Sequence, residues 1–141
     1  MRYLWKKLCV VCLIVCLGIG SLVSCTGGID KDEAKQTIRD FFDAIVAEDY
    51  DGAEALLHPE RPMDLQGRLQ VIENETGVDL QSGIEIKAYT GVSSSYYNST
   101  IGGSRYELTM KLTVGTQTVM CTIEIVKNEQ GYGIYSFDID A

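Results

Sequence analysis

The apolar residues of this chain change their spacing once, at Gly77, and that change limits the folds open to it. Before it, Ala34, Ile38, Phe41, Phe42 and Ile45 recur at intervals of three and four and share one helical face. Asp32, Lys35, Arg39, Asp43 and Glu48 take much of the opposite side, and Asp30 with Glu33 has the spacing of an N-cap and its N3 partner. A short second helix is expected from residue 50 or 51 to residue 57, with Ala53, Leu56 and Leu57 inward. Pro59 and Pro62 bound a kinked connection, because the residue before proline is biased out of the helical region. Leu65, Leu69 and Ile72 mark a third helix over residues 64–76, stopped by Gly77.

After Gly77 the period is two. Ile84, Ile86 and Ala88 alternate with Glu85, Lys87 and Tyr89. Tyr106, Leu108, Met110, Leu112 and Val114 alternate with Glu107, Thr109, Lys111 and Thr113, the pattern of a half-buried strand. Gly115-Thr116 or Thr116-Gln117 turns into Val119, Cys121, Ile123 and Ile125, and Asn128-Glu129-Gln130-Gly131 turns into Tyr135, Phe137 and Ile139. Residues 93–104, rich in Ser and Gly with Tyr96 and Tyr97, read as a long, mobile hairpin connection. A helical stripe and a one-sided sheet bury each other. The expected fold class is therefore α+β, three N-terminal helices packed on a four-stranded antiparallel sheet in one domain over residues 30–141.

The first 24 residues have another character. Arg2, Lys6 and Lys7 precede an apolar run over residues 8–19, and no acid occurs before Asp30. The run is shorter than the roughly 20 apolar residues a spanning helix needs. Leu22-Val23-Ser24-Cys25 resembles the lipobox of bacterial lipoproteins. The resemblance implies that residues 1–24 are a removed signal peptide and that Cys25 carries a diacylglyceryl group on its sulfur. Two acyl chains, at about 0.8 kcal/mol per buried CH₂, anchor stably where a single chain does not. Residues 25–29 are then a lipidated cysteine with the tether Thr26-Gly27-Gly28-Ile29, which spans on the order of 15 Å. The implied location is the extracytoplasmic face of the cell membrane, or the outer membrane of a Gram-negative envelope.

Loss of the signal removes Cys9, Cys12 and Cys16, so Cys121 is left beside the lipidated Cys25 and no internal disulfide can form. Cys121 stands in an apolar strand pattern and is expected to pack as a small hydrophobe. Removing 24 of 141 residues leaves 117, enough for one domain. Three of 12 basic residues leave as well, so nine face 20 acids, a formal −11. That balance argues against nucleic acid or an anionic lipid surface as partner.

Ile38-Arg39-Asp40-Phe41-Phe42-Asp43-Ala44-Ile45, followed by Glu48-Asp49-Tyr50-Asp51-Gly52-Ala53 and Leu56-Leu57, resembles the opening of nuclear-transport-factor-2-like domains. In these an amphipathic helix ending in an acidic turn leads into a short helix beginning with an aromatic residue. The chain is similar in particular to small bacterial lipoproteins of unknown function that carry such a domain. The resemblance implies a cystatin-like cone, a curved antiparallel sheet wrapped around the long helix with a pocket at the open end. Family members usually place a strand between the second and third helices, where this chain has the proline-broken residues 58–63.

Enzymes of that superfamily, ketosteroid-isomerase relatives and dehydratases among them, set an acid or histidine base inside the cone opposite tyrosine or acid donors. Such chemistry needs a buried carboxylate of raised pKa facing a donor. The inward strand registers contain no acid, and a slip of one residue would expose the whole apolar set. Glu85, Glu107 and Glu124 fall on the outer face. His58, the one histidine, is read as a helix C-terminal dipole partner rather than a general base. One histidine and scattered acids make no transition-metal site, and no cofactor is expected. Ile101-Gly102-Gly103-Ser104 lacks the lysine and the strand-to-helix setting of a phosphate loop.

The candidate pocket lining is Phe42, Tyr89, Tyr106, Met110, Cys121, Tyr135 and Phe137, although Tyr89 stands in the outward register of its strand. The tyrosines combine a stacking face with a hydroxyl. Two function classes follow. One is a noncatalytic module on a membrane anchor, binding a small apolar ligand or an envelope protein, with a sheet-to-sheet homodimer compatible. The other is an isomerase- or dehydratase-like enzyme with His58 or an acid turned into the cone.

Overall fold

The computed structural model describes residues 28–141; the expected signal peptide over residues 1–24, the expected lipidation position Cys25 and the tether residues Thr26 and Gly27 lie outside the described residues. Helix α1, Lys31–Val46, starts where Asp30 accepts a hydrogen bond from the Glu33 amide at 2.8 Å, satisfying one orphan donor of the first turn. Its buried stripe is Ala34, Thr37, Ile38, Phe41, Phe42 and Ile45. The helix ends in a Schellman motif: the Asp49 amide reaches Ala44 O at 2.9 Å and the Glu48 amide reaches Ile45 O at 3.1 Å. This puts Glu48 at φ 57°, in the left-handed region that favours glycine.

Helix α2, Tyr50–Glu54, is capped by Asp49 and is shorter than the sequence pattern suggests. The chain leaves it early because Leu57 makes a parallel bridge to Ile134. The His58 amide bonds Ile134 O at 2.8 Å and the Ile134 amide bonds Leu56 O at 2.9 Å. Gly133 permits that approach, since a Cβ there would stand 2.6 Å from the His58 nitrogen. Helix α3, Leu65–Thr76, is capped by Asp64 and stopped by Gly77 at φ 73°, with Leu65, Leu69 and Ile72 buried. A 3₁₀ turn, Leu80–Ser82, plugs the fully buried Leu80 into the core.

The strands β1 (Ile84–Asn98), β2 (Gly103–Val114), β3 (Gln117–Asn128) and β4 (Gly131–Asp140) form one open antiparallel sheet in sequential order. The architecture is α+β, with helices on one sheet face. Tyr106, Leu108, Met110, Leu112 and Val114 pair with Ile125, Ile123, Cys121, Val119 and Gln117. All but Gln117 are buried, so the clean alternation of β2 and β3 reads straight onto the core.

β1 runs further than expected. Residues 93–98 continue the ladder, with Ser94 opposite Tyr106 and Ser95 opposite Arg105, so the connection shrinks to residues 99–102. Backbone pairing needs no apolar side chain, which is why the Ser run gave no strand signal.

Four irregularities break the register; one lies between Ser95 and Asn98, and the other three are at Lys87, Thr90 and Tyr135. An extra residue at Lys87 places Ala88 opposite Lys111 and Tyr89 opposite Met110, so Tyr89, not Ala88, turns to the helix side. A second at Thr90 puts Gly91 opposite Thr109. In β4, Ser136 pairs with Glu124 but Ile134 with Ile125, so Tyr135 is the bulged residue. The inward set of β4 is accordingly Ile134, Phe137 and Ile139 rather than Tyr135, Phe137 and Ile139.

Candidate functional site

Phe42, Tyr106, Met110, Cys121 and Phe137 all lie between the sheet and α1, each no more than 6% exposed. Phe41 meets Phe137 edge-on with centroids 5.3 Å apart, and Phe42 lies 6.2 Å from Phe41. With Ile38 and Ile45 also buried, these side chains occupy the interior and touch one another as a core does. Burial pushes the Cys121 thiol up to about 12, helped by the charges of Asp138 and Asp140. A thiol held protonated is a packing group and a poor nucleophile.

The polar corner of this interior lies near the first turns of α1. Tyr89, turned inward by the Lys87 bulge, has its hydroxyl shielded from solvent and without a hydrogen-bond partner among the described residues. The Lys35 ammonium sits 4.8 Å from the Tyr89 ring centroid, within cation–π range. Burial first, then the neighbouring Tyr89 and Asp32, raises the Tyr106 phenol above its ordinary value. Across the helix, Thr37 Oγ1 and Tyr132 OH are 3.1 Å apart, and Thr37 Oγ1 donates to Glu33 O at 2.9 Å. Both tyrosine corners face α1, and neither presents a carboxylate to the interior.

Tyr135 belongs elsewhere. The bulge sends its ring against His58, edge-on at 5.5 Å, with the Arg61 guanidinium 4.6 Å from its centroid. His58 is buried, and its Nδ1 accepts from the Glu60 amide at 3.1 Å. Nε2 therefore carries the proton and donates to Asn128 Oδ1 at 3.0 Å and Gly131 O at 3.1 Å. This is not the helix-end role expected from its position: α2 ends at Glu54, and His58 instead pins the α2–α3 connection to the β3–β4 turn.

Asn128 is the hub of that pin. Its Oδ1 also accepts from the amides of Gln130 and Gly131 at 3.1 and 3.2 Å. Its Nδ2 donates to Glu60 Oε2 at 3.0 Å and to Ile101 O at 2.9 Å. The side chain thus ties the β1–β2 turn, the β3–β4 turn and the connection before α3 at one end of the sheet. Sequence reasoning took Asn128 only as a turn residue; its position at the head of a tight turn was the available signal.

The strand carboxylates are on the outer face. Glu107 pairs with Glu124 across the ladder, and Arg105 bridges both, donating Nε to Glu124 at 2.5 Å and Nη2 to Glu107 at 2.7 Å. The Glu124 hydrogen bond is the largest cause of the raised Arg105 pKa. Glu85 pairs with Lys87 at 2.9 Å. Among the described residues no cluster of His, Cys, Asp or Glu is arranged to hold a metal ion, and no helix is long and apolar enough to cross a membrane. Compared with family models, with curated proteins and with solved structures, the chain matches none of them.

Proposed function

We propose that the chain is a membrane-anchored extracytoplasmic lipoprotein, lipidated at Cys25, whose domain is a noncatalytic binding module with an envelope protein as its partner. The observation that carries the reading is the filled interior: Ile38, Phe41, Phe42, Met110 and Cys121 are each at most 3% exposed. Ligand sites for small molecules are concave and open; an interior packed to this degree favours recognition on the outside of the domain over capture of a small apolar ligand within it. The isomerase- or dehydratase-like alternative loses support because both His58 ring nitrogens are engaged and Glu85, Glu107 and Glu124 turn outward.

The fold proposed is the nuclear-transport-factor-2-like cone, in a narrow and filled form. Its support is the helix order, the sequential meander and the Leu57–Ile134 bridge, which stands where the family has a strand between the second and third helices. The test is intact and native mass spectrometry of the full chain expressed in its host and extracted from membranes. The expected species begins at Cys25, carries a diacylglyceryl mass and no further small molecule, and shows a protein complex or dimer in native spectra. A small-molecule mass that disappears on denaturation overturns the protein-partner reading.

A further inference from the structure

Residues 90–104 contain no Asp, Glu, Lys or Arg, in a chain where 23% of residues are charged. They form the far half of β1, the β1–β2 turn and the first residues of β2. Val92, 60% exposed, and Tyr96, 82% exposed, stand out along this stretch. β1 is an edge strand, and long exposed edges with apolar side chains are ordinarily covered or charged. Here the far half of the edge carries no charge of its own, and among the described residues only Gly28, Ile29 and Lys31 lie beside its Ser94–Tyr96 stretch from outside the sheet.

The path of the N-terminal segment supplies the missing partner. Ile29 packs against the core, and Gly28 rests on the Tyr96 ring so closely that a Cβ at Gly28 would stand 2.9 Å from its Cδ1 and Cε1. Ser104 Oγ, donating to Tyr96 O at 2.5 Å, holds the same place from the β2 side. Asn128 fixes the turn through Ile101 O. Cys25 is three residues before Gly28, with only Thr26 and Gly27 between them, so no more than about 10 Å of chain separates the lipid position from Tyr96. The residues from Thr26 to Ile29 are uncharged as well.

We infer that the uncharged end of the β1–β2 hairpin, with Tyr96 and Val92, docks on the headgroup layer of the bilayer that holds the Cys25 lipid, so that the domain stands with this end down. The inference rests on the lipoprotein reading above. Tyrosine suits the membrane–water boundary because its ring is apolar and its hydroxyl wet. The headgroup layer also suits an edge strand, whose free backbone groups find water and headgroup partners there but not in the hydrocarbon. A mature chain of net −11 is repelled by anionic lipid, and an uncharged contact patch removes that cost locally. The opposite end of the sheet, with Met120 at 38% exposed, is then held away: the steps along β3 from Met120 to Lys127 rise about 24 Å.

The one tryptophan is Trp5, inside the signal sequence, so the mature chain has no tryptophan of its own. Tyr96→Trp and Met120→Trp, each made in the full chain and purified after lipidation in the host, therefore carry a single reporter. Both are placed in phosphatidylcholine vesicles with and without a doxyl-labelled phosphatidylcholine. At least two-fold stronger quenching of Tyr96→Trp than of Met120→Trp, with blue-shifted emission, is expected. Equal quenching, in protein whose mass includes the lipid, overturns the docking and leaves the anchor reading intact. A blue shift without lipid quenching overturns it too, in favour of a protein covering the hairpin. Protein with no lipid at Cys25 overturns both readings together.

Discussion

Asn128→Ala tests whether one polar side chain holds the hairpin end of the sheet together. Asn128 makes five hydrogen bonds, to His58 Nε2, the amides of Gln130 and Gly131, Glu60 Oε2 and Ile101 O. The Gln130 and Glu60 bonds are exposed, and water replaces them at little cost. The other three are part-buried, and each contributes about 0.5–1.5 kcal/mol. His58 Nε2 keeps Gly131 O as acceptor at 3.1 Å, so no buried donor is fully orphaned. The expected loss is therefore about 2–3 kcal/mol, or roughly 10 °C in Tm for a domain of this size. Urea unfolding followed by circular dichroism measures it, with Glu129→Ala on the same exposed turn expected to stay within about 0.5 kcal/mol. A double-mutant cycle with His58→Ala should show coupling of about 0.5–1.5 kcal/mol. An Asn128→Ala variant as stable as the wild type, or zero coupling, would refute the hub.

Two further outcomes follow from the geometry. Glu48→Gly should stabilise the domain by up to about 1 kcal/mol, because glycine takes φ 57° without the clash that glutamate bears there; a lower Tm would show that the Schellman turn carries no strain. Cys121 should resist a thiol reagent at pH 8 in the folded protein and react on unfolding. Its folded pKa is raised to about 12 from 9.0, so the unfolded chain loses its proton first as pH rises. The contribution is whole below pH 9, is lost between about 9 and 12, and amounts to an order of 4 kcal/mol in total. Stability of Cys121→Ala should accordingly fall less steeply over that window, and an equal slope in both proteins would contradict the burial.

The amphipathic stripe of α1, the Asp30 cap, the Gly77 stop and the alternation of β2 and β3 were all legible in the chain. Each is decided within a few residues, by side-chain spacing or by one hydrogen bond to a nearby amide. The burial of Phe42, Tyr106, Met110, Cys121 and Phe137 was legible for the same reason: they keep a simple period and are buried together, as core and not as the lining of an open pocket. The bulges at Lys87, Thr90 and Tyr135 were not, because a bulge exists only in the pairing of two strands. They turned Tyr89 inward and carried Tyr135 out to His58 and Arg61. The serine-rich half of β1 was hidden likewise, since its ladder bonds are made by backbone that every residue shares. The sequence by itself determined the order of helices and strands and the buried faces of α1, α3, β2 and β3. Only the tertiary structure decided where His58 finds its partners 70 and 73 residues away, and that the hairpin lies against Gly28, because contacts at such separations depend on register and leave no local trace.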